Sequence, residues 1–128
     1  ELIGPAWRVS ALADRTGVRL DGPARAPAVG LEVPSMGLPV GAIQVPPDGR
    51  PIVMLADRPV TGGYPVPAVV IGADVGRVAR LRTGDELRFA SAWPEEALDA
   101  RRQAEAALAS LAPLGPMDDD LGWAGSHA

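Results

Sequence analysis

The sequence contains no cysteine and no lysine, and its only histidine is His127. The missing cysteine excludes disulfides, thiolate nucleophiles and cysteine-ligated zinc. The missing lysine excludes Schiff-base chemistry and the lysine of an ATP-binding P-loop, so a nucleotide site would be unconventional or lie in a partner. His127 is the residue before the last, and chain ends are usually poorly ordered. Acid–base chemistry would therefore fall to aspartate or tyrosine.

The sequence also lacks an apolar run long enough to span a membrane and a basic face suited to nucleic acid. Its net charge of −4 is uneven: residues 1–93 hold ten arginines against nine acids, whereas residues 94–128 hold two against seven. We therefore expect neither a membrane nor a nucleic-acid partner. Without cysteines or a signal-peptide pattern, the cytoplasm is the default location, and the start at Glu1 suggests a piece of a longer protein.

Glycine and proline are abundant, with 15 and 14 residues, which is typical of short strands joined by tight turns. We predict hairpins from strands 6–12 and 18–20, with Arg15 at the tip, and from strands 42–45 and 51–56. The second hairpin turns at Pro-Asp-Gly, where proline fixes φ and glycine accepts a positive φ. Further strands are expected near 29–33, buried at 66–73, and within 83–90.

Two helices are predicted after the central strands. Residues 74–81 form a short helix capped by Asp74, and residues 94–112 form a longer one with Pro94 in its first turn. The longer helix has a thin apolar stripe, so it packs weakly on the domain or lies along a partner. The predicted organisation is a mainly β domain over 1–92, a helix over 93–112 and a flexible acidic tail over 113–128.

The stretch "AIQVPPDGRPIVMLADRPVTGGYP", residues 42–65, concentrates polar side chains between prolines and glycines. A purely structural explanation exists: Asp48 belongs to its turn, Arg50 is solvated, and Asp57 pairs with Arg58 at a surface. A functional one also exists, since Arg58 can hold a carboxylate or phosphate, Gln44 can pair with an amide or ureido group, and Asp57 can carry a proton. The Gly62-Gly63 pair permits positive φ or close approach by a ligand. The residues alone leave both explanations open.

The same stretch, with "DRTGVRLDGP" before it and "IGADVGRVARLRTGDELRF" after it, resembles the allophanate hydrolase subunit 2 family of biotin-dependent carboxyltransferases. This family includes Kip-type proteins and the C subunit of 5-oxoprolinase. The resemblance implies a cyclophilin-like β-barrel half, here the C-terminal half, whose N-terminal half is missing. Pro59 and Val60 stand where many members have Gln-Thr, and Val66 stands where a basic residue is common.

The resemblance also implies the site residues. Asp57 and Tyr64 would be catalytic, and the substrate-binding set would be Gln44, Asp48, Arg58, Thr61, Gly62, Gly63 and Arg15. No metal is expected.

The implied function is a component of an ATP-dependent 5-oxoprolinase that supplies part of the site for a small amide substrate. ATP would bind elsewhere in the complex, and the partners would be the missing half and a Kip-type second subunit. Two alternatives remain: a carboxyltransferase that uses carboxybiotin on a partner to act on urea or a related amide, and a non-enzymatic regulatory module that binds a Kip-type partner. The isolated piece is expected to be inactive.

Overall fold

The computed structural model describes residues 2–23 and 33–111. These form eight short strands and two helices: β1 Trp7–Val9, β2 Gly17–Asp21, β3 Met36–Gly37, β4 Ala42–Gln44, β5 Ile52–Met54, β6 Thr61–Gly62, β7 Ala68–Val69, α1 Gly72–Val78, β8 Glu86–Leu87 and α2 Pro94–Ala109. The predicted mainly β half-barrel with one short and one longer helix is confirmed.

Six strands form one antiparallel sheet in the order β7-β4-β5-β2-β1-β8, and β3 pairs with β6 in a separate two-stranded ribbon. Both predicted hairpins are present, since β1 pairs with β2 and β4 with β5. Neighbours in sequence become neighbours in space because tight turns join antiparallel strands. Three pairings in this sheet join strands that are not consecutive in sequence: β2 with β5, β1 with β8 and β4 with β7. Because β5 pairs with both β4 and β2, it stands in the middle of the sheet.

The main core lies on one face of this sheet and is built by alternating side chains. Trp7 and Val9 point inward from β1 while Arg8 points to solvent, and Val18 and Leu20 do the same around Arg19 on β2. Ile43, Val53 and Leu55 complete the buried set, and Val75 and Val78 of α1 pack against it. This period-two pattern is what a half-buried strand requires.

The β4–β5 hairpin differs because every residue of both strands is buried. Its second face contributes Ala42, Ile52 and Met54 to a smaller cluster with Leu38. The turn is the predicted one: the Gly49 N–H donates to the Pro46 carbonyl at 2.9 Å, and Gly49 has φ of 72°. The ribbon covers this second face, so the hairpin lies between two layers.

Two details of the predicted elements are wrong. The strand expected to be buried over 66–73 is only Ala68–Val69, which is exposed because β7 is an edge of the sheet. Helix α1 begins at Gly72 after Ile71, so Asp74 lies in its first turn and pairs with Arg77 instead of capping it. The strand expected near 29–33 falls mostly on residues outside those described, and Val33 is in no strand.

Helix α2 begins at Pro94 as predicted and ends three residues earlier than expected, at Ala109. The Glu96 carboxylate accepts a 2.6 Å hydrogen bond from the Trp93 N–H, which stabilises the first turn. None of its residues is buried, and α1 is the element that it contacts. Neither described helix has the length and apolarity needed to cross a lipid bilayer. The predicted tail over 113–128 lies outside the described residues.

Candidate functional site

Gln44 is the most deeply buried polar residue of the central stretch, with 4% of its surface exposed. It is the last residue of β4, opposite Ile52, and its side chain lies on the hairpin face that the ribbon covers. Within residues 2–23 and 33–111 its amide makes no side-chain hydrogen bond. A buried amide without a partner is unusual, because such groups are normally satisfied by protein or water.

Gly62 of β6 lies directly over this amide. A Cβ at Gly62 would collide with Nε2 of Gln44 and would come within 2.8 Å of the Leu38 side chain. Close approach of another group explains the glycine at position 62, which was one of the two predicted reasons. The group that approaches is the Gln44 side-chain amide of the protein itself, where a ligand was expected. Positive φ is not the reason, because the glycines with positive φ among the described residues are Gly4, Gly41, Gly49 and Gly84.

Arg58 holds the ribbon to the loop that follows β5. Its Nε donates to the Leu38 carbonyl at 2.6 Å, and Nη1 makes a longer contact of 3.4 Å with the Ala56 carbonyl. The prediction of an ion pair between Asp57 and Arg58 is wrong, because Asp57 pairs with a different arginine. Sequence patterns gave no sign of the Leu38 carbonyl as a partner because the two residues are 20 apart.

That other arginine is Arg15, at the tip of the β1–β2 hairpin as predicted. Its Nε lies 3.3 Å from Oδ2 of Asp57, and the two side chains are 88% and 57% exposed. Such a pair contributes little to stability, but it places a carboxylate and a guanidinium on the lining of a cavity of about 550 Å³. Val18, Leu55 and Val75 line the same cavity. The structure thus brings together two of the predicted site residues.

Asp14 lies on the same hairpin tip and lines the same cavity. The pKa of its carboxyl is lowered by a hydrogen bond from the Thr16 hydroxyl, then by bonds from the backbone N–H groups of Thr16 and Gly17. The two backbone bonds measure 2.8 and 3.2 Å. These bonds stabilise the turn that carries Arg15.

The remaining predicted residues occupy the ribbon and the opposite end of the hairpin. Thr61 pairs with Gly37 across the ribbon, and the nearby Tyr64 is 45% exposed.

Asp48 lies in the β4–β5 turn, where its carboxylate accepts a hydrogen bond from the Arg50 N–H at 3.1 Å, as the structural explanation predicted. Arg50 was expected to be solvated; it is 62% exposed and also pairs with Asp21 at 3.2 Å. The structure therefore places the predicted residues at three locations: the Arg15–Asp57 cavity, the ribbon with Gln44 and Arg58, and the Asp48 turn.

A larger cavity, of about 1090 Å³, was not anticipated from the sequence. It lies on the main-core face, and its lining includes Trp7, Ile43 and Val70 as well as Leu87 and Phe89 from the β8 edge. Gln44 lines neither of these two cavities. Part of the apolar lining of the larger cavity comes from Trp7 of β1 and Ile43 of β4, which belong to the same core cluster.

Among the described residues, no group of three or more histidine, cysteine, aspartate or glutamate side chains is arranged to hold a metal ion.

Known protein families match the greater part of the chain. A family model described as the carboxyltransferase domain, subdomain A and B, matches residues 1–91. The chain is 39% identical over 99 residues to the C subunit of 5-oxoprolinase from Haemophilus influenzae, and 38% identical over 106 residues to the same subunit from Escherichia coli. These matches cover 77% and 83% of this chain but 32% and 34% of the relatives. The chain thus spans about a third of the length of these relatives.

Solved structures agree with this match. The protein TTHA0988 superposes with a TM-score of 0.62 at 42% identity, covering 70% of this chain and 18% of that one. The urea carboxylase of Kluyveromyces lactis gives a higher TM-score, 0.73, at a lower identity of 27%, covering 80% of this chain and 10% of that one. The backbone geometry is therefore shared more widely than the side chains.

Proposed function

Because the chain belongs to the carboxyltransferase domain family, subdomain A and B, we propose that it is part of a multi-subunit, ATP-dependent 5-oxoprolinase and helps to form the substrate site. The observation that carries this proposal is the identity of 39% and 38% to the C subunits of two bacterial 5-oxoprolinases. Since the chain spans a third of those relatives, the activity would belong to an assembly.

The proposed overall reaction is 5-oxoproline plus ATP plus water to glutamate plus ADP plus phosphate. The chain has no lysine for a P-loop, so ATP would bind to other subunits, among them a Kip-type partner. The rest of a family-length protein would supply the remainder of the site. The proposed location is the cytoplasm, where ATP is available.

The proposed roles follow the chemistry of each side chain. Asp57 would accept or carry the proton that moves when the cyclic amide opens, with Tyr64 as a second proton carrier. Arg15 would orient the Asp57 carboxylate through their 3.3 Å contact. Arg58, Thr61 and the Gly63 backbone would bind the substrate's carboxylate, and the Asp48 carboxylate would accept a hydrogen bond from its lactam N–H, once the rest of the assembly brings these positions to the substrate.

The experiment is a segment exchange in the Escherichia coli enzyme. The matching third of its homologous subunit is replaced by this chain, the subunits are co-expressed, and glutamate formation from 5-oxoproline and ATP is measured. We expect activity from the exchanged enzyme and a loss of about 100-fold or more with Asp57→Asn, the usual size of a general acid–base contribution. Asp99→Asn on α2 is the matched control and should leave the activity unchanged.

An assembled complex that forms no glutamate would contradict the proposal. If the complex is active and Asp57→Asn is as active as the Asp99→Asn control, the family function stands but the role of Asp57 is wrong.

A second candidate is carboxyl transfer from carboxybiotin on a partner to urea or a related amide. It is supported by the TM-score of 0.73 to a urea carboxylase structure, and by 27% identity over 130 residues to a putative urea carboxylase of Emericella nidulans. Exchanging the same segment into a urea carboxylase and measuring urea-dependent, biotin-dependent carboxylation would test it. Activity there without glutamate formation in the first exchange would favour this candidate.

A further inference from the structure

We propose that residues 118–123, which follow α2 in the sequence, bind in the cavity of about 1090 Å³ on the main-core face. Their sequence is "DDDLGW". The three aspartates would contact arginines at the edge of the cavity, and Leu121 and Trp123 would occupy its apolar interior. The occupant is thus a segment of the same chain, from outside the described residues, and the inference does not depend on the proposed function.

The first support is the exposed apolar lining of this cavity. The cavity reaches both edges of the sheet, since Val69 of β7 and Leu87 of β8 line it. Two lining residues, Ile3 and Val69, are 49% and 51% exposed, and Leu87 and Phe89 are only partly buried. Contiguous apolar surface of this kind usually marks a place where something binds.

The second support is the charge at the lining. Two carboxylates of the lining are already paired. Asp74 lies 3.1 Å from Arg77, and Glu86 lies 2.6 Å from Arg8. Arg88 also lines the cavity, and no carboxylate among the described residues pairs with it. The charge left without an opposite partner at the lining is therefore positive.

Two further arginines stand next to the lining. Arg80 and Arg82 flank Leu81, which lines the cavity; both are exposed, and neither forms an ion pair within residues 2–23 and 33–111. With Arg88 they make three guanidiniums that could meet the three aspartates of the segment. Complementary charges of this kind guide association and fix its register, and salt weakens them.

The third support is the length of chain between α2 and the segment. Ala92 lines the cavity and lies two residues before α2, which is about 24 Å long. Residues 110–121 can span about 40 Å when extended, enough to run back along the helix and past its first residue. Pro113, Gly115 and Pro116 lie in this connection, and these residue types favour the turns that a reversal of direction requires.

The side chains of the segment suit the lining. Leu121 and Trp123 are two residues apart, so in an extended segment both point to the same side. A tryptophan buries about 150–250 Å² when it docks, and the cavity has the volume of a pocket for a drug-sized ligand. Ile43, Val70 and Phe89 of the lining offer apolar contacts to both side chains.

The test is paramagnetic relaxation enhancement in the ¹⁵N-labelled 128-residue chain. Because the sequence has no cysteine, Ser126→Cys provides a single site for a nitroxide label close to Trp123. We expect the backbone N–H signals of three lining residues to lose intensity: Ile3, Val69 and Phe89. The signal of Gly62, in the ribbon on the opposite face, should keep its intensity. In about 1 M salt, where the Debye length is about 3 Å, the loss should be smaller.

Substitutions separate docking from simple proximity to α2. Leu121→Ser combined with Trp123→Ser, made in the spin-labelled chain, should abolish the loss of intensity, and Arg88→Gln should reduce it. Leu114→Ser combined with Met117→Ser is the matched control, because it removes two apolar side chains that precede the aspartates. This control should leave the loss unchanged.

A loss of intensity that is confined to the cavity and abolished by the Leu121 and Trp123 substitutions would support the proposal. Lining signals that keep their intensity would overturn it and leave the cavity open for another protein. An equal loss in that double variant would overturn it as well, since the label would then only pass near the surface. A loss in ¹⁵N-labelled chain mixed with spin-labelled ¹⁴N chain would make a second copy the occupant and would also overturn it.

Discussion

The two faces of the β4–β5 hairpin make the most informative comparison in this molecule. One face carries Ile43 and Val53 into the main core, a cluster of buried apolar side chains. The other face carries Ala42 and Ile52 into a smaller cluster, and there Gln44, whose amide has no hydrogen-bond partner among the described residues, lies under a ribbon of two-residue strands. The same strands therefore bury only apolar side chains on one side and a polar amide on the other. Mutations on the two faces should differ in size and in sign.

The largest effect is expected in the main core. Leu20 is fully buried there, and Leu20→Ala should lower the free energy of unfolding by about 2–5 kcal/mol, because it removes apolar contacts and leaves a cavity. Urea denaturation measures this. Leu98→Ala on the surface of α2, where the leucine is 53% exposed, should stay within about 0.5 kcal/mol. Equal losses in both variants would mean that the core is not where the structure places it.

A smaller loss is expected at the ribbon. Gly62→Ala pushes a methyl group into Gln44 and Leu38, and we expect a loss of about 1–3 kcal/mol from overpacking. Gly63→Ala is the matched control, because among the described residues its Cβ would meet only the Val33 carbonyl, at an ordinary 3.7 Å. Urea denaturation of both variants separates the cost of the steric contact at position 62 from the effect of replacing glycine's flexible backbone. If both alanines destabilise alike, close approach is not the reason for glycine at 62.

The smallest effect is expected on the stability of the chain at acidic pH. The pKa of Asp14 is lowered in the folded state, so its ionised form contributes stability that is present at neutral pH and is lost as the pH falls below about 4. Asp14→Asn should therefore make the melting temperature slightly less sensitive to pH between about 5 and 3. Thermal melts across that range test the sign; a steeper dependence in the variant would contradict it.

Much of this fold follows from local sequence. Both predicted hairpins are present, Pro-Asp-Gly predicted the β4–β5 turn, and Pro94 predicted the start of α2. The predictions that failed concern features that depend on residues distant in sequence. The 66–73 segment is as apolar as a buried strand, yet β7 is exposed because it lies at the sheet edge. No local pattern shows which strand is outermost.

The residues of the candidate site could be named from the sequence, but the contacts between them could not be predicted. Gln44, Arg58 and Gly62 were all named from the sequence, yet their contacts depend on the ribbon, whose strands are separated by more than 20 residues. Arg15 and Asp57 come together for a similar reason: the β2–β5 pairing brings the hairpin tip to the loop after β5. Pairings across such distances follow from topology, which residue patterns do not encode.

The most direct test of the account is the free energy of unfolding of Gln44→Leu, measured by urea denaturation beside Val53→Ala from the opposite face. We expect Val53→Ala to destabilise the chain and Gln44→Leu to stabilise it by about 1–2 kcal/mol, because a buried amide without a hydrogen-bond partner in residues 2–23 and 33–111 is replaced by an apolar group of similar size. A loss of stability in Gln44→Leu would show that the amide has a hydrogen-bond partner in the folded protein, and would contradict the contrast between the two faces of the hairpin.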